Sequence, residues 1–262
     1  MSYRIILIFV ALTFPLSTFA KNSFLVAPTS VEINLSRPNT ASFVVTNNGD
    51  APVRVSISPI YFPVDSRFMP PAKPLDAKTA KQDDLSKYMI VSPGMVSVKP
   101  GDQRIIRVSV RPPAGLKKGE YRSHLLFSML DIADRMKMKK KDDSGVSMQI
   151  NFKSETAVVV YGSVGTGDFK LATECSLLKD KKNKTKVKIT NSGLWRFDGW
   201  LRVYDGDNKS KPLVDDKIFM VRQSVKEETL SWSPKDNKNE VEITFVPLDD
   251  KKKSFTTKCK LV

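Results

Sequence analysis

Ser42-Phe43-Val44-Val45-Thr46-Asn47-Asn48-Gly49-Asp50-Ala51-Pro52-Val53-Arg54-Val55-Ser56-Ile57 holds a β-branched run, a turn and a second alternating run. β-Branched side chains suit a pleated, half-buried surface, and an Asn-Asn-Gly-Asp cluster supplies the turn chemistry that reverses a chain. Beyond the turn, Val53, Val55 and Ile57 share one face of the returning strand. The stretch therefore predicts a strand, a turn and a strand.

The same pattern extends outward in both directions. Upstream, Val31, Ile33 and Leu35 lie on one face. Downstream, residues 63–74 are proline-rich and the polar stretch runs on to Ser86. Proline lacks the donor a central strand needs, so this part is expected to be a long surface connection. Strand character returns at residues 88–91 and 95–98. Lys99-Pro100-Gly101-Asp102 then turns the chain into Ile106, Val108 and Val110. Gly119-Glu120-Tyr121-Arg122 opens another apolar run over residues 125–130, with Tyr121 placed as an immunoglobulin-like sandwich places its corner tyrosine. Residues 131–145 are polar and lysine-rich, a loop by composition. Val146, Met148, Ile150 and Phe152 then alternate strictly with polar residues, and residues 157–161 form a buried-type run.

Gly162-Ser163-Val164-Gly165-Thr166-Gly167 interrupts the pattern, and a domain boundary is expected there, giving units over residues 21–163 and 164–262. Candidate strands continue at 186–190, 200–204, 218–221, 229–232, 241–246 and 255–262. Thr190-Asn191-Ser192-Gly193 repeats Thr46-Asn47-Asn48-Gly49 at the end of an early strand in each half. Amphipathic helical windows are nearly absent, so the expected class is all-β, built of sandwiches.

Arg4, the apolar run over residues 5–14 and the small residues of Thr18-Phe19-Ala20 read as a cleaved signal peptide over residues 1–20. The apolar run is shorter than a spanning helix requires, and stable membrane insertion is not expected. Cys175 and Cys259 are the two cysteines; export favours a disulfide between them, the alternative being a pair of buried thiols. Neither has the close partner of a metal or redox site, so no metal and no cofactor is expected. The formal net charge is +15, with lysines grouped at 137–141, 179–186 and 251–253. These groups lack the interleaved aromatics that stack bases, so they read as solvated turns and nucleic acid is not an expected partner.

Catalysis finds little support. The single histidine, His124, lies inside a strand, and no serine or cysteine has a recognisable base partner. Asp83-Asp84, Asp142-Asp143, Asp215-Asp216 and Asp249-Asp250 read as solvated loop acids, and no phosphate or dinucleotide loop is present. The protein is not expected to be an enzyme.

The order of these segments resembles the periplasmic chaperones of chaperone–usher pilus assembly, the PapD-like family, in a divergent branch. The resemblance rests on the start at residues 24–35, on Val45-Thr46-Asn47-Asn48-Gly49, and on Val91-Ser92-Pro93-Gly94-Met95-Val96-Ser97-Val98-Lys99-Pro100-Gly101-Asp102-Gln103-Arg104-Ile105-Ile106-Arg107. Gly119-Glu120-Tyr121-Arg122-Ser123-His124-Leu125-Leu126-Phe127 and residues 148–161 extend it; beyond Gly167 it holds only as a second sandwich of suitable size.

The resemblance implies two immunoglobulin-like β-sandwich domains set in an L or boomerang and a periplasmic location. Its implied partners are exported pilin-like subunits, with an outer-membrane usher. It also implies donor-strand complementation, in which Val146, Met148, Ile150 and Phe152 would complete a subunit's unfinished sheet. In that mode main-chain bonds supply affinity and side-chain pockets supply specificity. The alternative is a structural or adhesive component of a surface assembly sharing this fold. Family members grip the subunit's terminal carboxylate with an arginine and a lysine between the domains. The matching positions here fall near Thr29 and Ser30 and near Thr156 and Ala157, leaving Arg122, Arg104 and Lys153 as candidate anion anchors. Cys175 and Cys259 would tie the first and last strands of the second sandwich.

Overall fold

The computed structural model describes residues 23–62, 73–75, 78, 82–130, 154–177, 184–204, 211–232 and 240–260. The first sandwich contains β1 (Phe24–Ala27), β2 (Ser30–Asn34), β3 (Thr40–Asn47) and β4 (Val53–Ile60). After a two-residue β5 (Lys73–Pro74) come β6 (Met89–Ser92), β7 (Met95–Val98), β8 (Gln103–Val110), β9 (Gly119–Leu130) and β10 (Glu155–Val164). One sheet has the order β1-β3-β8-β6 and the other β2-β10-β9-β4-β7. Every described pairing is antiparallel except β2 with β10 and the single bridge of Asp84 with Arg122.

The opening stretch folds as its alternation requires. Phe43 and Val45 from β3 meet Val53, Val55 and Ile57 from β4 in one core, with Ile106, Leu125 and Phe127. Each such side chain contributes on the order of 1.5–3 kcal/mol when taken out of water. The Tyr121 hydroxyl donates to the Lys117 carbonyl at 2.7 Å, the tyrosine corner that the position of this residue suggested.

The second sandwich contains β11 (Leu171–Leu177), β12 (Thr185–Asn191), β13 (Phe197–Val203), β14 (Val214–Met220), β15 (Ser224–Leu230), β16 (Glu240–Pro247) and β17 (Phe255–Lys260). Its sheets have the orders β11-β12-β15-β5 and β14-β13-β16-β17. Phe197, Leu201, Phe245 and Ile189 fill its core. Phe197 meets both Phe169 and Phe245 edge-on, at 4.9 and 5.7 Å between centroids. Cys175 on β11 is bonded to Cys259 on β17, so the disulfide joins the edge strands of the two sheets.

The Asn-X-Gly echo is a structural repeat. Asn47 and Asn191 are both fully buried. The Asn47 amide donates to the carbonyls of Ala51 and Val98 and accepts the Gly49 N–H. Asn191 donates to Trp195 and Val221 and accepts from Gly193. Each asparagine satisfies backbone groups that a tight turn would otherwise bury unpaired.

Two regions depart from the sequence expectation. The connection between β4 and β6 does more than cross the surface, because Leu85 is fully buried in the first core and Asp83 is 7% exposed. Asp83 is therefore not the solvated loop acid that its neighbourhood suggested. The strand expected at 229–232 instead spans Ser224–Leu230, since its inward positions include Ser224 and Lys226, which carry no apolar signal. Among the described residues no helix is long and apolar enough to cross a membrane. Nor does any group of three or more His, Cys, Asp or Glu there suit a metal ion.

Candidate functional site

β10 lies beside two strands along only part of its length. β9 pairs with all of it, from Glu155 opposite Ser128 to Val164 opposite Gly119. β2 runs parallel to it from Val159 opposite Ser30 to Ser163 opposite Asn34. Upstream of that, the last backbone contact is the Val159 N–H donated to the Thr29 carbonyl at 3.1 Å. Among the described residues, no strand lies beside residues 156–158 on the side away from β9. The two-residue period of a strand then puts the Ala157 main-chain groups on that side, as it does those of Val159. Ala157 is exposed, whereas Val158 and Val160 point into the first core. Among the described residues, β10 thus begins as a half-open strand edge.

The C-terminal half of β10 meets the second sandwich. Val159 and Tyr161 pack with Phe219 and Val221 in a separate buried cluster. Arg196 lies 4.0 Å over the Tyr161 ring and ion-pairs with Glu32 of β2 and Glu120 of β9. Burial pushes the Glu120 carboxyl up, against the pull of Arg196. The adjacent carboxylates, with Tyr161, hold Arg196 firmly charged despite its burial. Arg222 donates to the Glu120 carbonyl at 2.8 Å and sits 5.0 Å over the Tyr121 ring. A cavity of about 580 Å³ opens beside this network, lined by Glu32, Glu120, Trp195, Arg196 and Lys252 among others.

The residues expected from sequence fall in different places. Val146, Met148, Ile150, Phe152 and Lys153 lie outside the described residues. Arg122 is 2% exposed and engaged within the first sandwich. Its guanidinium donates to the Phe62 carbonyl at 2.9 Å and lies 3.7 Å from the Asp83 carboxylate. Arg104 extends from β8 in the opposite sheet, exposed, and donates to the Gln103 carbonyl. Arg122 and Arg104 therefore do not share a site. His124 is buried, with the Phe62 ring edge-on at 4.8 Å. Glu32, Glu120, Arg196 and Arg222 were not singled out by sequence; only the GEYR stretch at 119–122 pointed toward the network.

No protein-family model and no curated protein matches the sequence. Solved structures do match in shape. A chain of the CsuC–CsuE chaperone–tip adhesion subunit pre-assembly complex, from the archaic chaperone–usher Csu pili of Acinetobacter baumannii, aligns with a TM-score of 0.52 and 11% identity. That alignment covers 92% of this chain and 99% of the other. A chain of the chaperone–tip adhesin complex of CFA/I fimbriae biogenesis aligns at 0.51 with 13% identity, over 90% and 98%. The YadV chaperone aligns at 0.50 with 12% identity, over 91% and 99%. The chain has the two-sandwich fold of the PapD-like pilus chaperones.

Proposed function

We propose that the protein is a periplasmic chaperone that binds exported pilin-like subunits by donor-strand complementation. The observation that supports this most is the half-open edge at the start of β10. Val146, Met148, Ile150 and Phe152 precede that edge directly and share the parity of the core-facing Val158 and Val160. A strand continued upstream with the same period would turn those four side chains to the core side, beyond the last strand pair of its own sandwich. Their burial in a partner would contribute on the order of 1.5–3 kcal/mol each, of which ordering and association costs leave only a part. The backbone at Ala157 would extend the same ladder.

The likeness in fold to chains from chaperone–subunit complexes supports a subunit as the partner class. A cleaved leader over residues 1–20, domains at 21–163 and 164–262, and delivery to an outer-membrane usher belong to the same reading. The buried engagement of Arg122 favours an anchoring step at other cations, of which Arg104 and Lys153 remain candidates.

The test is co-purification. The chain would be expressed with exported pilin-like subunits and recovered with a bound subunit. Replacing Ile150 and Phe152 with aspartate should abolish recovery of the subunit while the circular dichroism and melting of the free protein stay unchanged. Undiminished recovery would overturn the proposal.

A further inference from the structure

The described residues of the connection between β4 and β6 contact both sandwiches. At its two ends it is fixed to the first. The Tyr61 hydroxyl donates to the Asp83 carboxylate, and the Arg122 N–H donates to the Asp83 carbonyl at 2.7 Å. Leu85 fills the first core, and its N–H donates to Ser123 Oγ at 2.8 Å. Leu85 also sits so close to β10 that a Cβ added at Gly162 would lie 2.7 Å from it. Between these ends, β5 adds to the second sandwich. Lys73 pairs with Val225 and Pro74 with Ser224, and the Leu75 N–H donates to the Gln223 carbonyl at 3.1 Å. Gln223 has φ +45°, the only non-glycine positive φ among the described residues, so a strained residue presents the carbonyl that receives this bond.

We infer that this connection is an interdomain clasp: β5 plugs the edge of β15 and couples the second sandwich to the first independently of the linker after β10. Without β5, β15 would be an edge strand of its sheet, with the unpaired donors and acceptors that invite another chain to add. The strand period aims the Val225 N–H and carbonyl at β5, because the Gln223 carbonyl two residues earlier accepts from Leu75 on that side. The clasp therefore covers the edge of β15, while no strand lies beside the start of β10 on the side away from β9 among the described residues. It acts together with the Val159, Tyr161, Phe219 and Val221 contact and the Arg196 ion pairs, and it is the attachment made by the first sandwich's own connection.

The double variant K73P/L75P, beside the native Pro74, removes the amide donors of β5 and keeps its length. Hydrogen–deuterium exchange of the segment around Val225 should quicken roughly tenfold. The melt followed by tryptophan fluorescence should fall by a few degrees, since Trp195, Trp200 and Trp232 all belong to the second half. Wild-type exchange and melting would overturn the inference. Faster exchange with an unchanged melt would overturn the coupling and leave only an edge plug.

K73C/V225C provides a second measurement should the proline variant fail to fold. Hydrogen-bonded antiparallel partners have Cα atoms at a separation a disulfide spans. Mild oxidation should produce an intramolecular 73–225 bridge beside the native one, seen by peptide mapping without reduction. Failure to form it, or bridging only between molecules, would overturn the docking of β5 on β15.

Discussion

Asn47 and Asn191 do the same work in the two sandwiches: each donates to the carbonyl four residues ahead and accepts the N–H two residues ahead. Each also reaches a distant carbonyl, of Val98 at the end of β7 or of Val221 just after β14, which pins the turn to the opposite sheet's chain. Alanine leaves three backbone groups without this partner at Asn47 and four at Asn191, where the Lys170 N–H is also accepted, at a cost of about 2–4 kcal/mol. N191A should lower the urea midpoint seen by tryptophan fluorescence, because the tryptophans lie in that half. N47A should act first on exchange protection in β3 and β8. Equal effects of both variants on the fluorescence transition would show that the sandwiches unfold as one unit.

The Cys175–Cys259 bridge closes a separation of 84 residues. Its removal in C175A/C259A should destabilise the second sandwich by about 2–5 kcal/mol. Denaturant unfolding of the variant, compared with the wild type under oxidising conditions, measures this. A loss below about 1 kcal/mol would mean that β11 and β17 are held mainly by the apolar core.

Arg196 to alanine would strand Glu120, whose side chain is only 10% exposed. Leaving a buried charge without its partner costs about 3–5 kcal/mol. Replacing both, as R196M/E120L, should recover most of that loss, because an apolar pair of similar size carries no desolvation cost. Glu32, 71% exposed, should matter little by itself. Urea titrations of the single and double variants form the cycle. A double variant no better than R196A would locate the effect in lost packing over Tyr161.

Asp83 carries a pH signature. Burial lifts its carboxyl above the ordinary carboxylate range, against the hydrogen bond from Tyr61 and the charge of Arg122. The same burial, with the neighbouring Asp83 charge, keeps the Tyr61 phenol protonated. The folded state therefore holds the Asp83 proton to higher pH than the unfolded chain, whose aspartates titrate near about 3.9. Stability from this group is complete below that value and is lost as pH rises through the folded value. The urea midpoint of the wild type relative to D83N should fall as pH rises from about 4. A constant difference, or one that grows with pH, would reverse the assignment.

Much of the fold could be read from local pattern. Alternation around Phe43, Val55 and Val108 placed strands, Tyr121 sat where a corner requires it, and the Asn-X-Gly echo marked the second sandwich. Where inward positions are polar the pattern failed: Ser224 and Lys226 obscured the start of β15, and in β11 only Cys175 is buried, so that strand was marked by its cysteine alone. The interdomain network was illegible for another reason. Arg196 meets Glu120 across 76 residues and Glu32 across 164, and no local spacing records such a meeting. Asp83 looked like a turn residue because its neighbours in sequence are polar, whereas its neighbours in space are Tyr61 and Arg122.

The pairing of Lys73 with Val225 also sets an order of assembly. These partners stand roughly 150 residues apart, so the second sheet cannot acquire its last strand until a piece of chain made much earlier swings back to meet it. A chain emerging from its N-terminus during synthesis would finish its first module, wait with that short strand unmatched, and join the two modules only when the late segment arrives.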